Sequence, residues 1–261
     1  MTKMIKLHQR VTKLLMPLAV VAGLAACTTT TTGDLGERNP NAARDAYIQL
    51  GEEYLKVDDR ESAKQRFFRA IEIDDDAAGA YTGLAVVYLR SSEYDEAEEY
   101  FKKALRADSG YTPAKVQYGV FLLGQSRYRE ACSQLERATA DREWTQRHVA
   151  LFYYGRCEFK RENYVEAERA LLLANRINVR FAASYLELTQ VYLAKNELPL
   201  AKSTLSEYFR FGAETAEALL VAIKVERAFG NITAERTFAQ QLQLRYPYSD
   251  EWLAYREMSN Q

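Results

Sequence analysis

Small and large apolar residues return along this chain every 34 positions. Gly51, Ala63, Phe67 and Ala70 are followed by Ala85, Ala97, Phe101 and Ala104, then by Gly119, Ala131, Leu135 and Ala138. A period of this length marks a solenoid of helical hairpins. One hairpin cannot bury its own apolar face. Small residues recur where its two helices press together, and large ones where the next hairpin stacks. The series continues with Gly155, Ala167, Leu171 and Ala174, displaced by 36 rather than 34, which places a two-residue insertion near Arg142–Thr145. A fifth unit keeps Leu188, Tyr192, Ala201 and Leu205. A sixth is worn. Glu235 stands where the second helix needs a small residue, yet Phe229-Gly230-Asn231 still marks a turn and Pro247 an end.

These spacings and residue types resemble tetratricopeptide repeats. In repeat one the match is Tyr47, Leu50, Gly51, Tyr54, Ala63, Phe67 and Ala70. In repeat two it is Tyr81, Leu84, Ala85, Tyr88, Ala97, Phe101 and Ala104. The resemblance implies a right-handed superhelical solenoid of six repeats at 44–77, 78–111, 112–145, 148–181, 182–215 and 216–249, with a short C-terminal extension to 261. With only 5 Pro and 12 Gly and no sustained strand alternation, the chain reads as all-α.

The first 26 residues differ in kind. Lys3, Lys6, Arg10 and Lys13 form a basic start, and Leu14 to Ala26 is an apolar run too short to span a bilayer comfortably. The run ends in Leu24-Ala25-Ala26-Cys27. This is similar to a lipoprotein signal peptide, which implies cleavage before Cys27 and lipid on its thiol and amine. An ordinary secretory signal with a chance Cys at its end is the other reading. Residues 28–43, opening on five Thr, read as a flexible tether that cannot build a core. Three acyl chains at about 0.8 kcal/mol per buried methylene would hold the protein on a membrane permanently. By resemblance to Gram-negative lipoproteins, Thr28 after Cys27, in place of Asp, favours the outer membrane.

The full chain carries 35 basic and 36 acidic residues. The signal holds four of the bases and no acid, so cleavage leaves 31 against 36, a net charge of −5. Such a chain has no basic footprint for nucleic acid. No phosphate-binding glycine loop, zinc spacing or nucleophile elbow is present, so no catalytic residue, metal, cofactor or small-molecule substrate is expected. The mature chain's single His, His148, reads as a surface or capping residue. Glu52-Glu53 and Glu98-Glu99 read as exposed helix pairs, and Asp74-Asp75-Asp76 as a capping loop. Cys132 and Cys157 fall on neighbouring helices of repeats three and four. Either they form a disulfide, as an oxidising compartment allows, or they are two small buried thiols.

The first helix of each repeat also carries positions that the repeat does not need for packing. In repeats one to three they are Ile48 and Leu55, then Thr82, Val86 and Leu89, then Val116, Val120 and Leu123. That stripe is apolar on a face expected to meet water, and suggests a groove for an amphipathic helix or an extended apolar peptide. The alternatives are a superhelix closed on itself, or the tether lying in the groove. The matching positions of repeat six, Leu220, Lys224 and Arg227, are more polar.

Lipoprotein signal and six repeats together resemble the type IV pilus biogenesis lipoproteins, the PilF/PilW pilotins. The resemblance is carried by Gln117-Tyr118-Gly119-Val120-Phe121-Leu122, by Tyr153-Tyr154-Gly155-Arg156-Cys157, and by Gln241-Leu242 through Tyr246-Pro247 and Ser249. Val116-Gln117 stands where the family has two Asn, and Leu123 where some members have Cys. The family implies anchoring at the periplasmic face of the outer membrane, with the pilus secretin subunit as partner. It implies that the repeats help the secretin reach that membrane and multimerise. A scaffold lipoprotein for β-barrel assembly or for cell-wall hydrolases is the alternative.

Overall fold

A computed structural model describes residues 39–259. Within them lie thirteen α-helices and no strand. The first twelve pair as hairpins: α1 (Pro40–Lys56) with α2 (Arg60–Ile73), α3 (Ala78–Arg90) with α4 (Tyr94–Ala107), and α5 (Thr112–Gly124) with α6 (Tyr128–Thr139). The series goes on with α7 (Arg147–Lys160) and α8 (Tyr164–Ile177), α9 (Ala182–Ala194) and α10 (Leu198–Phe211), α11 (Ala216–Ala228) and α12 (Ile232–Arg245). A final helix, α13 (Asp250–Ser259), forms the C-terminal extension. Cys27 and the signal lie outside the described residues.

The periodic residues make the core. Ala63, Phe67 and Ala70 are fully buried, as are Ala97, Phe101 and Ala104, Ala131, Leu135 and Ala138, and Ala167, Leu171 and Ala174. Each large member fills the space its small neighbours leave. A Cβ on Gly51 would sit 2.6 Å from the Phe67 ring, and one on Gly83 only 2.3 Å from it. Two glycines from adjacent repeats thus clamp one ring, whose burial contributes about 1.5–3 kcal/mol. Between repeats two and three, Phe101 stacks on Tyr118 at 5.5 Å and lies 5.8 Å from Phe121.

The turns repeat as faithfully as the core. A positive φ falls at Asp58, Ser92, Ser126, Glu162, Asn196 and Gly230, each two residues before the second helix of its hairpin. In each turn the next amide closes back on the preceding helix, as in Asp59 N to Tyr54 O at 3.0 Å and Asn231 N to Glu226 O at 2.9 Å. This is the Schellman closure, which needs one left-handed residue. Only the sixth turn uses Gly there. The others accept the strain of a side chain, about 1–2 kcal/mol each.

Three sequence expectations change. The segment 28–43 does not stay irregular to its end, because α1 starts at Pro40. Asn39 Oδ1 accepts from Ala42 N at 3.1 Å, Pro sits in the first turn, and Ala43 is buried. Glu98 is not a freely exposed carboxylate. Its side chain is 17% exposed and takes Arg127, Lys102 and the Tyr118 hydroxyl, tying α4 to α5 and α6. Glu235 fits the worn sixth repeat because Arg227 donates to it through Nε at 2.9 Å and Nη2 at 2.7 Å.

The 36-residue step is accommodated between Thr139 and Arg147. Asp141 accepts from Glu143 N, Trp144 N and Thr112 Oγ1 there, and Trp144 packs beside Val116, Ala138 and Ala150.

Candidate functional site: a groove along the first helices

Four adjoining clefts follow α1, α3, α5 and α7. The first, of about 410 Å³, lies among Arg44, Asp45, Ile48, Glu52, Asp76, Asp108 and Tyr111. The second holds Leu55, Thr82 and Val86 beside Pro113 and Gln117. A third, of about 340 Å³, is walled by Val116, Val120, Trp144, Val149 and Tyr153. The last holds Val120, Leu123, Tyr128, Tyr153, Arg156 and Lys160. Glu52 and Tyr111 border the first three clefts, and Val120 and Tyr153 the last two, so the depressions form one groove.

Most of the sequence stripe lines this groove, but it is less exposed than expected. Leu55 is 7% exposed, Thr82 7% and Val116 5%. Ile48, Val86, Leu89, Val120 and Leu123 are half-buried and pack on the core clusters beneath them. Leu89 borders none of the four clefts. The physical reason is the close approach of successive first helices, which covers one flank of each stripe residue. The stripe is therefore floor, shared between core and groove.

The rim comes from residues outside the stripe. Tyr111, in the loop before α5, closes over Gly79: a Cβ there would meet the Tyr111 hydroxyl and Ile48 Cδ1, both at 3.2 Å. Burial pushes the Tyr111 phenol up, helped by the Glu52 charge. Burial likewise raises the Glu52 carboxyl, and the Lys56 charge opposes the shift only in part. Lys56 itself bonds to Glu53 at 2.6 Å. Gln117 and Tyr153 occupy one repeat register, so the 34/36 step could have found them; Tyr111 and Trp144 sit in loops, where that step carries no packing meaning.

The groove ends short of repeats five and six. Glu187 is buried beneath Arg156, with Nε at 3.9 Å from its carboxylate, and burial raises its pKa. Leu220 is buried, and Arg227 is held by Glu235 and the Met258 carbonyl, so that register is no open polar face; only Lys224 is exposed.

Cys132 and Cys157 are joined in a disulfide, Cα to Cα 5.6 Å, linking α6 to α7. His148 is half-buried, edge-on to Phe181 at 5.1 Å, and its Nε2 lies 3.2 Å from Asn178 Nδ2. Burial lowers its pKa. Asp74 accepts from Asp76 N and pairs with Arg44, so the acidic loop is a helix end with its own partners. Among the described residues no cluster of His, Cys, Asp or Glu could hold a metal ion, and no helix is long and apolar enough to cross a membrane.

A tetratricopeptide-repeat family profile matches residues 48–112 and 122–178, and a second one residues 88–148. The chain is similar to the solved structure of PilF from Pseudomonas aeruginosa, with 30% identity and a TM-score of 0.75, over 84% of this chain and 99% of that one. It is also similar to PilW, described as a widely conserved type IV pilus biogenesis factor, with 26% identity and a TM-score of 0.73, over 81% of this chain and 97% of that one. YrrB, a repeat protein with an unusual peptide-binding site, shares the fold at 20% identity and a TM-score of 0.56, over 73% of this chain and 97% of that one. No curated protein matches the chain by sequence. An all-α repeat array that aligns with 99% of PilF places the chain in the tetratricopeptide-repeat proteins of type IV pilus biogenesis.

Proposed function

We propose that this protein is a pilotin: a lipoprotein held at the periplasmic face of the outer membrane through Cys27, whose repeats bind the type IV pilus secretin subunit and promote its delivery and multimerisation. The observation that carries the reading is the likeness to PilF along almost the whole of that chain. The signal ending in Leu24-Ala25-Ala26-Cys27-Thr28 supports the membrane assignment. The groove over repeats one to four supplies a docking surface with an apolar floor and a polar rim, the composition by which partner proteins are held. The work is binding and placement. The lipid sets the destination, and the repeats hold the secretin until it assembles.

The experiment is affinity purification of tagged full-length protein from detergent-solubilised outer membranes, compared with Gln117→Arg. Gln117 is exposed and borders two of the clefts, so a longer charged side chain blocks the groove without disturbing the core. Secretin should co-purify with the wild type and be depleted with the variant. Capture of β-barrel assembly factors or cell-wall hydrolases in place of secretin contradicts the proposal. Cys27→Ser should release the protein from the membrane fraction; retention there contradicts the lipid anchor.

A further inference from the structure

One register position faces the groove in each of repeats one to four. Stepping by 34, with 36 at the insertion, it reads Glu52, Val86, Val120 and Arg156, and the same register continues beyond the groove as Gln190 and Lys224. The sequence changes from acid to apolar to base along a single line. The surroundings change with it. The cleft at the repeat-one end has Asp45, Glu52, Asp76 and Asp108 on its wall and one base, Arg44, which is already bonded to Asp45 and Asp74. The cleft at the repeat-four end has Arg156 and Lys160, both exposed, and no acid on its wall. Arg156 has a distant partner in Glu187, and Lys160 has no ion pair among the described residues. Between the ends Glu52 reaches the edge of both middle clefts, and the rest of their walls are apolar or neutral: Val86, Pro113, Val116, Val120, Trp144 and Tyr153 among them.

We propose that the groove holds its occupant in one direction: a segment of the partner protein with an apolar middle, a Lys or Arg over repeats one and two, and an Asp or Glu over repeat four. This rests on the groove being the docking surface named above. A cation beside Glu52 would complete the counter-charge that Lys56, bonded to Glu53, supplies only in part. The length follows from the scaffold. Four first helices about 10 Å apart span roughly 30 Å, which is about 20 residues of helix or about nine of extended chain. Direction matters for a protein that must place a partner, because a reversed segment would present the rest of that partner to the wrong side of the array.

The test uses three end-capped, fluorescent synthetic peptides of about 20 residues with one shared Leu/Val-rich amphipathic middle. One has a Lys pair at one end and a Glu pair at the other, the second Lys at both ends, the third Glu at both ends. Binding is read by anisotropy on purified full-length protein in detergent, with empty micelles as the blank. Wild type should bind the mixed peptide about three- to fivefold tighter than either like-ended one. The ratio should shrink as salt rises from about 50 mM to about 500 mM. Asp45→Lys with Glu52→Lys should make the Glu-ended peptide the tightest. Arg156→Gln with Lys160→Glu, which places the new carboxylate at the position farther from buried Glu187, should favour the Lys-ended one. All four changes together should restore the mixed peptide. Circular dichroism confirms that each variant keeps its helices. Equal affinity for the three peptides, or a ranking the variants do not move, overturns the proposal. No secretin enters this assay, so its failure is separate from failure of the capture experiment.

Discussion

The two ends of the array use the same helix positions in opposite ways. At the repeat-one end, Glu52 and Ile48 border an open cleft and Tyr111 overhangs it. At the repeat-six end, the register of Ile48 becomes buried Leu220, and that of Leu55 becomes Arg227, bonded to Glu235 and to the Met258 carbonyl of α13. Trp252, Tyr255 and Met258 of α13 pack on the cluster around Leu219 and Ile223. A solenoid must cover the apolar face of its last repeat, and here an added helix does so. A repeat fold therefore fixes where side chains project but leaves open whether a position binds or seals.

Removing α13 should be the most disruptive way to test that contrast. A chain ending before Asp250 exposes the Leu219–Ile223–Leu242 surface, and loss of its apolar cover should cost about 3–5 kcal/mol. Hydrogen exchange should show α11 and α12 deprotected while α1 to α7 keep their protection, because each repeat leans only on its neighbours. Uniform protection after truncation would mean that α13 is not a seal.

The disulfide comes next. Cys132 and Cys157 brace α6 against α7 beneath the basic end of the groove, closing a loop of sequence separation 25. Cys132→Ala with Cys157→Ala should cost about 3 kcal/mol, confined to repeats three and four. Free thiols in protein made under oxidising conditions, by non-reducing peptide mapping, would contradict the bridge.

A smaller effect is expected at Glu98. The Arg127 guanidinium, assisted by Lys102 and Tyr118, holds its carboxyl down to about 2 from an ordinary 4.5. A lowered pKa contributes stability that is complete above the ordinary value and is lost as pH falls from there toward the folded value. Glu98→Gln should cost about 1.5–3 kcal/mol at neutral pH, the range for a hydrogen bond to a charged group. It should also flatten the loss of stability below pH 4.5. Melts of both proteins across that range check it; parallel curves would contradict the role given to Glu98.

The fold was legible because its packing is periodic. Phe67, Phe101, Leu135 and Leu171 lie in fully buried sites, and one repeated geometry demands one repeated residue type. Glu235 looked like decay and is compensated by Arg227 eight residues earlier, a contact that no repeat pattern encodes. The site was half legible. Val86, Val120 and Leu123 were found by their register and do line the groove. Register does not report their burial, because the pitch between successive first helices decides how much of each is covered. Leu89 packs into the core for that reason. Tyr111 and Trp144 rise from loops, where spacing says nothing about direction.

The proposed secretin-docking face is the groove over repeats one to four, and not the outer surface near the sealed end. Site-specific photo-crosslinking in living cells tests it most directly. A photoreactive residue is placed at Gln117, exposed on the groove, or at Arg236, exposed on α12. A secretin adduct is expected from position 117 and none from 236. An adduct from 236 with none from 117 would contradict it.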